Sequence, residues 1–337
     1  MSMRVGLTYD LRDDYRAMGF SEEAVAEFDS EETIAGLAAA LQRLGFAVDR
    51  IGHIRALAAR LVGGERWDIV FNIAEGVSGR GREAQVPALL EAYGQPFVLS
   101  DSVTCAMTLD KALAKTIVAA AGVPTSRHAV VASRADLDSV DLGFPVFVKP
   151  LAEGTGKGCE RAGKALNREQ LERTAADLWQ RFEQPVIVEP FLPGREFTVG
   201  VLGNGAEARP VAVMEVLLRE QADAEIYSYR NKENFKELVS YRLADDDTAQ
   251  AAAEVALAAH RALNCADASR VDLRCDAGGQ PLFMEVNPLA GMHPTHSDLP
   301  ILSGLAGISY DRLIAQIMAA ALRRHGLSLP AELARAA

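Results

Sequence analysis

Four residues in the last quarter of the chain form its densest chemical pattern: Arg270 and Asp272 in RVDLR, Glu285 and Asn287 in FMEVN. Residues two apart on a strand share a face, so each run presents its polar pair on one side. Val271, Leu273, Met284 and Val286 then fall on the opposite, apolar side. Two carboxylates and an amide oxygen converging from neighbouring strands are hard donors of the kind Mg2+ takes, with water and phosphate oxygens completing its shell. A solvated polar sheet face is the competing reading.

Two lysines give the second signal. Lys111 and Lys149 each lie at the edge of an apolar element, and Lys149 ends the run FPVFVK. An ammonium placed there can hold nucleotide phosphates as a point charge. Just beyond it, Gly154, Gly156 and Gly158 in EGTGKG could turn backbone N–H groups toward phosphate. A surface turn with solvated lysines explains the same residues equally well.

Other patterns carry less. Gly79-Arg80-Gly81-Arg82-Glu83-Ala84 has the spacing of a dinucleotide fingerprint, but it does not close the first strand and holds two arginines. EGTGKG lacks the first glycine and the hydroxyl residue of a P-loop. His293 and His296 flank a proline and read better as substrate loop than as metal ligands. No G-x-S-x-G elbow supports a serine hydrolase.

These residues need a scaffold, and the chain supplies alternating elements. Arg4–Tyr9, Trp67–Ile73 and Pro96–Leu99 read as strands. Between the first two, Asp29 and Glu32 suggest a capping box for a helix whose face is Ile34, Leu37, Ala38, Leu41 and Leu44, stopped at Gly45. A second helix is expected near Arg82–Tyr93. Helices follow at about Leu109–Ala121 and Arg168–Phe182, with strands at Phe144–Lys149 and Pro185–Glu189. From Glu196 the runs FTVGVLG, RPVAVMEVLL, ASRVDLRCD and PLFMEVN are strands, interrupted by a helix near Thr248–Leu263. Tyr310–Arg324 is the last helix, and the alanine-rich tail beyond Pro330 is expected to fray.

The 337 residues, 49% hydrophobic and 24% charged, belong to a globular protein of two or three domains at about 150 residues per domain. The net charge of −11 speaks against a basic nucleic-acid surface, so no nucleic-acid partner is expected. No signal peptide and no apolar run of about 18 residues is seen, which points to a cytoplasmic protein without membrane attachment. Cys105, Cys159, Cys265 and Cys275 are too scattered for a metal site and read as reduced thiols.

Taken together, VFNIAEG, TLDKALAK, FPVFVKP, EGTGKG, VEPFLPGREFTVGVLG, RVDLR and FMEVNPLAGMHP follow one another as in the D-alanine–D-alanine ligase family of ATP-grasp enzymes, which the chain resembles from about Met3 to Arg324. The resemblance implies an α/β and α+β chain, an ATP-grasp fold with an N-terminal α/β domain. It divides into residues 1–101, a central subdomain at 102–188 and a C-terminal subdomain at 189–330 that carries the metal and substrate site. It also implies roles. Lys111 and Lys149 would contact the α- and β-phosphates of ATP, and the loop of Glu153, Gly154, Thr155 and Gly156 would close over the γ-phosphate. Glu189, Phe191 and Leu192 would lie at adenine, and Glu196 at ribose. Asp272, Glu285 and Asn287 would bind Mg2+ (or Mn2+ in its place), Arg270 and the Gly291 N–H would stabilise an oxyanion, and Lys232 would sit in a lid over Tyr227–Phe235.

The implied reaction joins a carboxylate and an amine through an acyl phosphate, releasing ADP and phosphate, in a homodimer acting on small amino-acid-like substrates. Departures from the family pattern cluster at the substrate. Glu75 stands where dipeptide-forming members have histidine, Glu233 replaces the lid tyrosine, Thr155 replaces serine and Ala290 replaces a proline. One extra residue precedes Ser297, the candidate for holding the acceptor carboxylate. Either Glu27 or Glu31 could grip the first substrate's ammonium. These changes point away from joining two D-alanines and toward a more cationic or polar substrate. An inactive ATP-binding regulator and an ATP-dependent carboxylase are the alternatives.

Overall fold

The computed structural model describes residues 2–22, 24–154, 156–159, 161–219 and 235–336. Its strands form three sheets. The first is parallel, in the order β2-β1-β3-β4, from β1 (Arg4–Thr8), β2 (Ala47–Gly52), β3 (Ile69–Asn72) and β4 (Phe97–Val98). Val5, Leu7, Ile69, Val70 and Phe71 are wholly buried in it, as a parallel sheet covered on both faces requires. The second is antiparallel, in the order β5-β8-β6-β7, from β5 (Ala129–Val131), β6 (Val146–Pro150), β7 (Lys164–Ala165) and β8 (Val186–Pro190). The third, also antiparallel, runs β11-β10-β9-β12-β13, from β9 (Glu196–Leu202), β10 (Arg209–Leu218), β11 (Val239–Leu243), β12 (Ala268–Cys275) and β13 (Pro281–Asn287).

The helix Glu31–Arg43 shows how local rules set this frame. Its N-cap is Ser30, whose hydroxyl accepts the Thr33 N–H, so the capping signal at Asp29 was one residue early. Ile34, Leu37 and Leu41 face inward and are fully buried, each contributing about 1.5–3 kcal/mol. Gly45, at φ +88°, makes the left-handed exit. Against this helix lies Tyr310–Arg324, with Leu313 and Ile317 in the same core and Arg43 pairing with Asp311 at 2.6 Å. Leu202, Met214 and Ala268 of the third sheet join that core.

Several expectations are corrected. The strand Ala47–Gly52, an edge strand whose apolar run Asp49 and Arg50 interrupt, and the helix Ile54–Val62 stand between the first two expected strands in addition to the expected helix. The helix expected at Leu109–Ala121 is Lys111–Ala120, preceded by a further helix, Ser102–Leu109; Asp110 is extended between them and caps the second through the Leu113 N–H. The helix expected from Arg82 opens as a tight turn at Arg82–Ala84 before Gln85–Ala92. The tail is not frayed: Ala331–Ala336 is helical and buries Leu333 completely. Among the described residues, no single helix is long and apolar enough to cross a membrane.

Candidate active site

Strand register builds the centre. β12 and β13 pair so that Arg270 stands opposite Asn287 and Asp272 opposite Glu285, which puts all four on one face. The register slips after Asp272, leaving Met284 as the extra residue of a bulge. Met284, expected on the apolar side, therefore lines the site, and Phe283 takes the buried position instead. Asp272 accepts from the Thr198 hydroxyl at 3.0 Å and from Arg270 Nη2 at 3.0 Å. Glu285 lies 3.4 Å from Lys111 Nζ. Asn287 Nδ2 and Arg270 Nε are buried with no hydrogen-bond partner among the described residues. Such atoms are costly unless a ligand meets them.

Three adjoining cavities share these residues. The first, of about 860 Å3, is walled by Phe147, Lys149, Glu189, Phe191, Leu192 and Glu196 on one side and by Asp272, Met284 and Glu285 on the other. The second, about 1340 Å3, reaches Glu75, Arg270, Asn287, Gly291 and Ser297. A smaller one of about 490 Å3 lies between Lys111, Glu153, Gly154, Glu285 and Asn287. Glu285 thus lines the first and the small cavity, and Asn287 the small one and the second.

Lys149 is held in the first cavity by Glu189, 3.1 Å away on the neighbouring strand. A residue that sequence reasoning missed completes this arrangement. Lys115, one turn after Lys111, is wholly buried, 2.6 Å from Glu189, and bonds the Ser126 hydroxyl and the Phe283 carbonyl, each at 3.1 Å. Its signal was the i, i+4 spacing in KALAK. Burial alone would raise the Glu189 carboxyl, but the two ammoniums hold it down to about 2. Its side chain therefore orients lysines, while Phe191 and Leu192 offer an apolar wall; Lys164 Nζ sits 4.0 Å over the Phe191 ring. Glu196 pairs with Arg274 at 3.4 Å.

The glycine-rich loop is clasped by a distant carboxylate. Glu27 accepts the Gly154 N–H at 2.8 Å and pairs with Arg82 at 2.6 Å and Lys157 at 3.3 Å. Glu31, in contrast, is exposed and paired with Arg50. Of the two candidates, Glu27 is the one the structure brings to the cavities. Lys111 Nζ donates to the Glu153 carbonyl at the start of this loop, and Gly156 lines the first cavity at φ +77°. Thr155, Lys232 and Glu233 lie outside the described residues.

At the far end, a Cβ on Gly291 would lie 2.7 Å from Ser297 Oγ, so a larger residue there would have to push the Ser297 side chain aside. The Ser297 hydroxyl itself accepts the His293 N–H at 3.0 Å. Glu75 faces the second and small cavities, where burial, Glu83 and Glu27 push its carboxyl well above the usual range. Burial likewise lifts Glu83 to about 7, despite Arg82.

The D-ala D-ala ligase C-terminus family matches residues 117–319. The D-alanine–D-alanine ligase of Gluconobacter oxydans is 36% identical over 263 residues, covering 76% of this chain and 82% of its own. Among solved structures, the D-alanine–D-alanine ligase of Bacillus anthracis complexed with ATP aligns with a TM-score of 0.73 at 21% identity, covering 97% of this chain and 99% of that one. The VanG D-Ala:D-Ser ligase of Enterococcus faecalis aligns at 0.72 and 20% identity, covering 95% and 100%. Fold, family and sequence order agree: the chain belongs to the D-alanine–D-alanine ligase family of ATP-grasp carbon–nitrogen ligases.

Proposed function

We propose that this protein is an ATP-dependent carboxylate–amine ligase whose substrates are not two D-alanines. The observation that carries the reading is the position of Glu285 and Asn287 at the junctions between cavities, beside Asp272 and Arg270. ATP would occupy the first cavity, with its phosphates toward Lys149, Lys111 and the loop at Gly154 and Gly156. Asp272, Glu285 and Asn287 are all-oxygen donors that fit Mg2+. When bound there, Mg2+ offsets the charge of the phosphates.

The substrate carboxylate attacks the γ-phosphorus; a new O–P bond forms as the bond to ADP breaks. An unprotonated amine then attacks the acyl carbon, the C–O bond to phosphate breaks, and nitrogen loses a proton as the amide forms. Phosphoryl transfer asks little covalent chemistry of the protein, which acts by positioning and charge. Lys111 and Lys149 would neutralise phosphate oxygens. Arg270, whose buried Nε has no partner among the described residues, would offset the acyl phosphate and the tetrahedral oxyanion, and the Gly291 N–H would support the latter.

Glu75 supports the departure in substrate. Burial and the Glu83 and Glu27 carboxylates favour the protonated form of Glu75, so a cationic group in this cavity would help it ionise and an anionic one would oppose that. ADP and phosphate formation across a panel of amino acids, each offered amino acids, amino-acid amides and simple amines as acceptors, tests this. Turnover with basic or polar amino acids is expected; robust D-alanyl-D-alanine synthesis would overturn the substrate assignment, and no ADP from any pair would overturn the ligase.

A further inference from the structure

The far end of the second cavity is already supplied with carboxylate. Arg270 Nη2 lies 3.0 Å from Asp272 and Nη1 lies 3.4 Å from Asp298, so one guanidinium is shared by two acids of its own chain. Both acids are largely buried, with side chains 13% and 11% exposed. Asp298 opens the helix Asp298–Leu305, where free N–H groups and the helix dipole favour an anion. Its other oxygen lies 3.5 Å from the Tyr241 hydroxyl. Glu27, Asp29 and Glu75 line the same cavity, against Arg12 and Arg270. Arg12 spends its Nε and Nη2 on the backbone carbonyls of Phe28 and Ala26.

An acceptor carboxylate at Ser297 would lie next to Asp298, a like charge that with Asp272 already engages Arg270. Like charges repel far more strongly in a partly dehydrated pocket than in water. An ammonium arriving there meets the opposite field. Resting on the ligase reading, we propose that the amine substrate is a primary amine with no carboxylate beside its nitrogen, and that Asp298 sets this preference. Asp298 follows Ser297 directly, lines the second cavity with it and engages Arg270, so it sets a negative charge beside the residue expected to hold an acceptor carboxylate.

Matched probes isolate the charge. Titration calorimetry would compare D-alanine with D-alaninamide, and D-lysine with D-lysinamide, on the protein saturated with ADP and Mg2+. At least one amide is expected to bind about tenfold more tightly than its acid, a difference of about 1.4 kcal/mol. Asp298→Asn should bring the pair within about twofold, and Asp298→Glu should keep the preference, whereas a structural role would weaken acid and amide alike. Tighter binding of the acids, an unchanged ratio in Asp298→Asn, or no binding by either pair would overturn the proposal. ADP formation, measured alongside, judges the ligase reading separately: amide-selective binding without turnover would defeat the ligase and leave the selectivity standing.

Discussion

Asp272 stands directly across the β12–β13 ladder from Glu285, and the bulge at Met284 begins at that pair. The bulge turns Met284 into the first cavity without moving either carboxylate off the shared face. Asp272 is anchored by Thr198 and Arg270, and Glu285 lies beside Lys111. Two strands, one helix end and one hydroxyl thus fix the acids before any ligand arrives.

Neutralising either acid should therefore cost activity rather than fold. Asp272→Asn and Glu285→Gln are each expected to lower kcat by about 100-fold or more, the scale of losing one preorganised charge at a reacting centre. Melting temperature should move by about 4 °C or less, which corresponds to about 1 kcal/mol in a chain of this size. Steady-state phosphate release and thermal melts on the same preparations check both; full activity in both variants would remove these acids from the site.

Lys115 calls for the opposite pattern. It is a fully buried cation bonded to Glu189, Thr125, Ser126 and Phe283. Lys115→Met leaves those acceptors short of a donor and should cost about 3–5 kcal/mol, the usual price of breaking one side of a buried pair. Denaturant unfolding measures it, and an unchanged midpoint would show that Glu189 and Lys149 hold without it.

Acid should loosen the same cluster. Glu189 titrates near 2 in the folded chain against about 4.3 when unfolded, so its contribution is complete above about pH 4.3. That contribution is lost as pH falls from there toward 2. Glu189→Gln should flatten the acid limb of a stability–pH curve in this window. An identical limb in wild type and variant would assign acid loss to other groups.

Asp29 gives the reverse slope. Burial and the neighbouring Asp10 lift its carboxyl to about 7, against about 3.9 unfolded. The folded chain therefore holds this proton more tightly, and stability falls as pH rises from about 4 to 7. Asp29→Asn should be more stable than wild type at pH 8 and show little gain at pH 4. Equal gains at both pH values would mean that the effect is not ionisation.

Period-two spacing made the polar face of β12 and β13 readable before any coordinates, because one face of a strand is fixed by alternation alone. The same rule misplaced Met284, since a bulge is a matter of pairing with a partner strand, and a single run does not reveal it. Glu27 and Glu31 look alike because both are glutamates at or just before the helix Glu31–Arg43; only the approach of Gly154, 127 residues beyond Glu27, distinguishes them. Lys115 was hidden for a related reason. A lysine on a helix reads as solvated until the sheet that buries it, with Glu189, is in place.

Oxygen transfer from substrate to phosphate tests the ligase chemistry most directly. Candidate amino acids labelled with 18O in the carboxylate would be turned over with ATP and the acceptor amines, and the released phosphate analysed by mass spectrometry. An acyl phosphate requires one carboxylate oxygen to leave with the phosphate, so each phosphate should carry one label, with ADP as co-product. Unlabelled phosphate, or AMP in place of ADP, would contradict it.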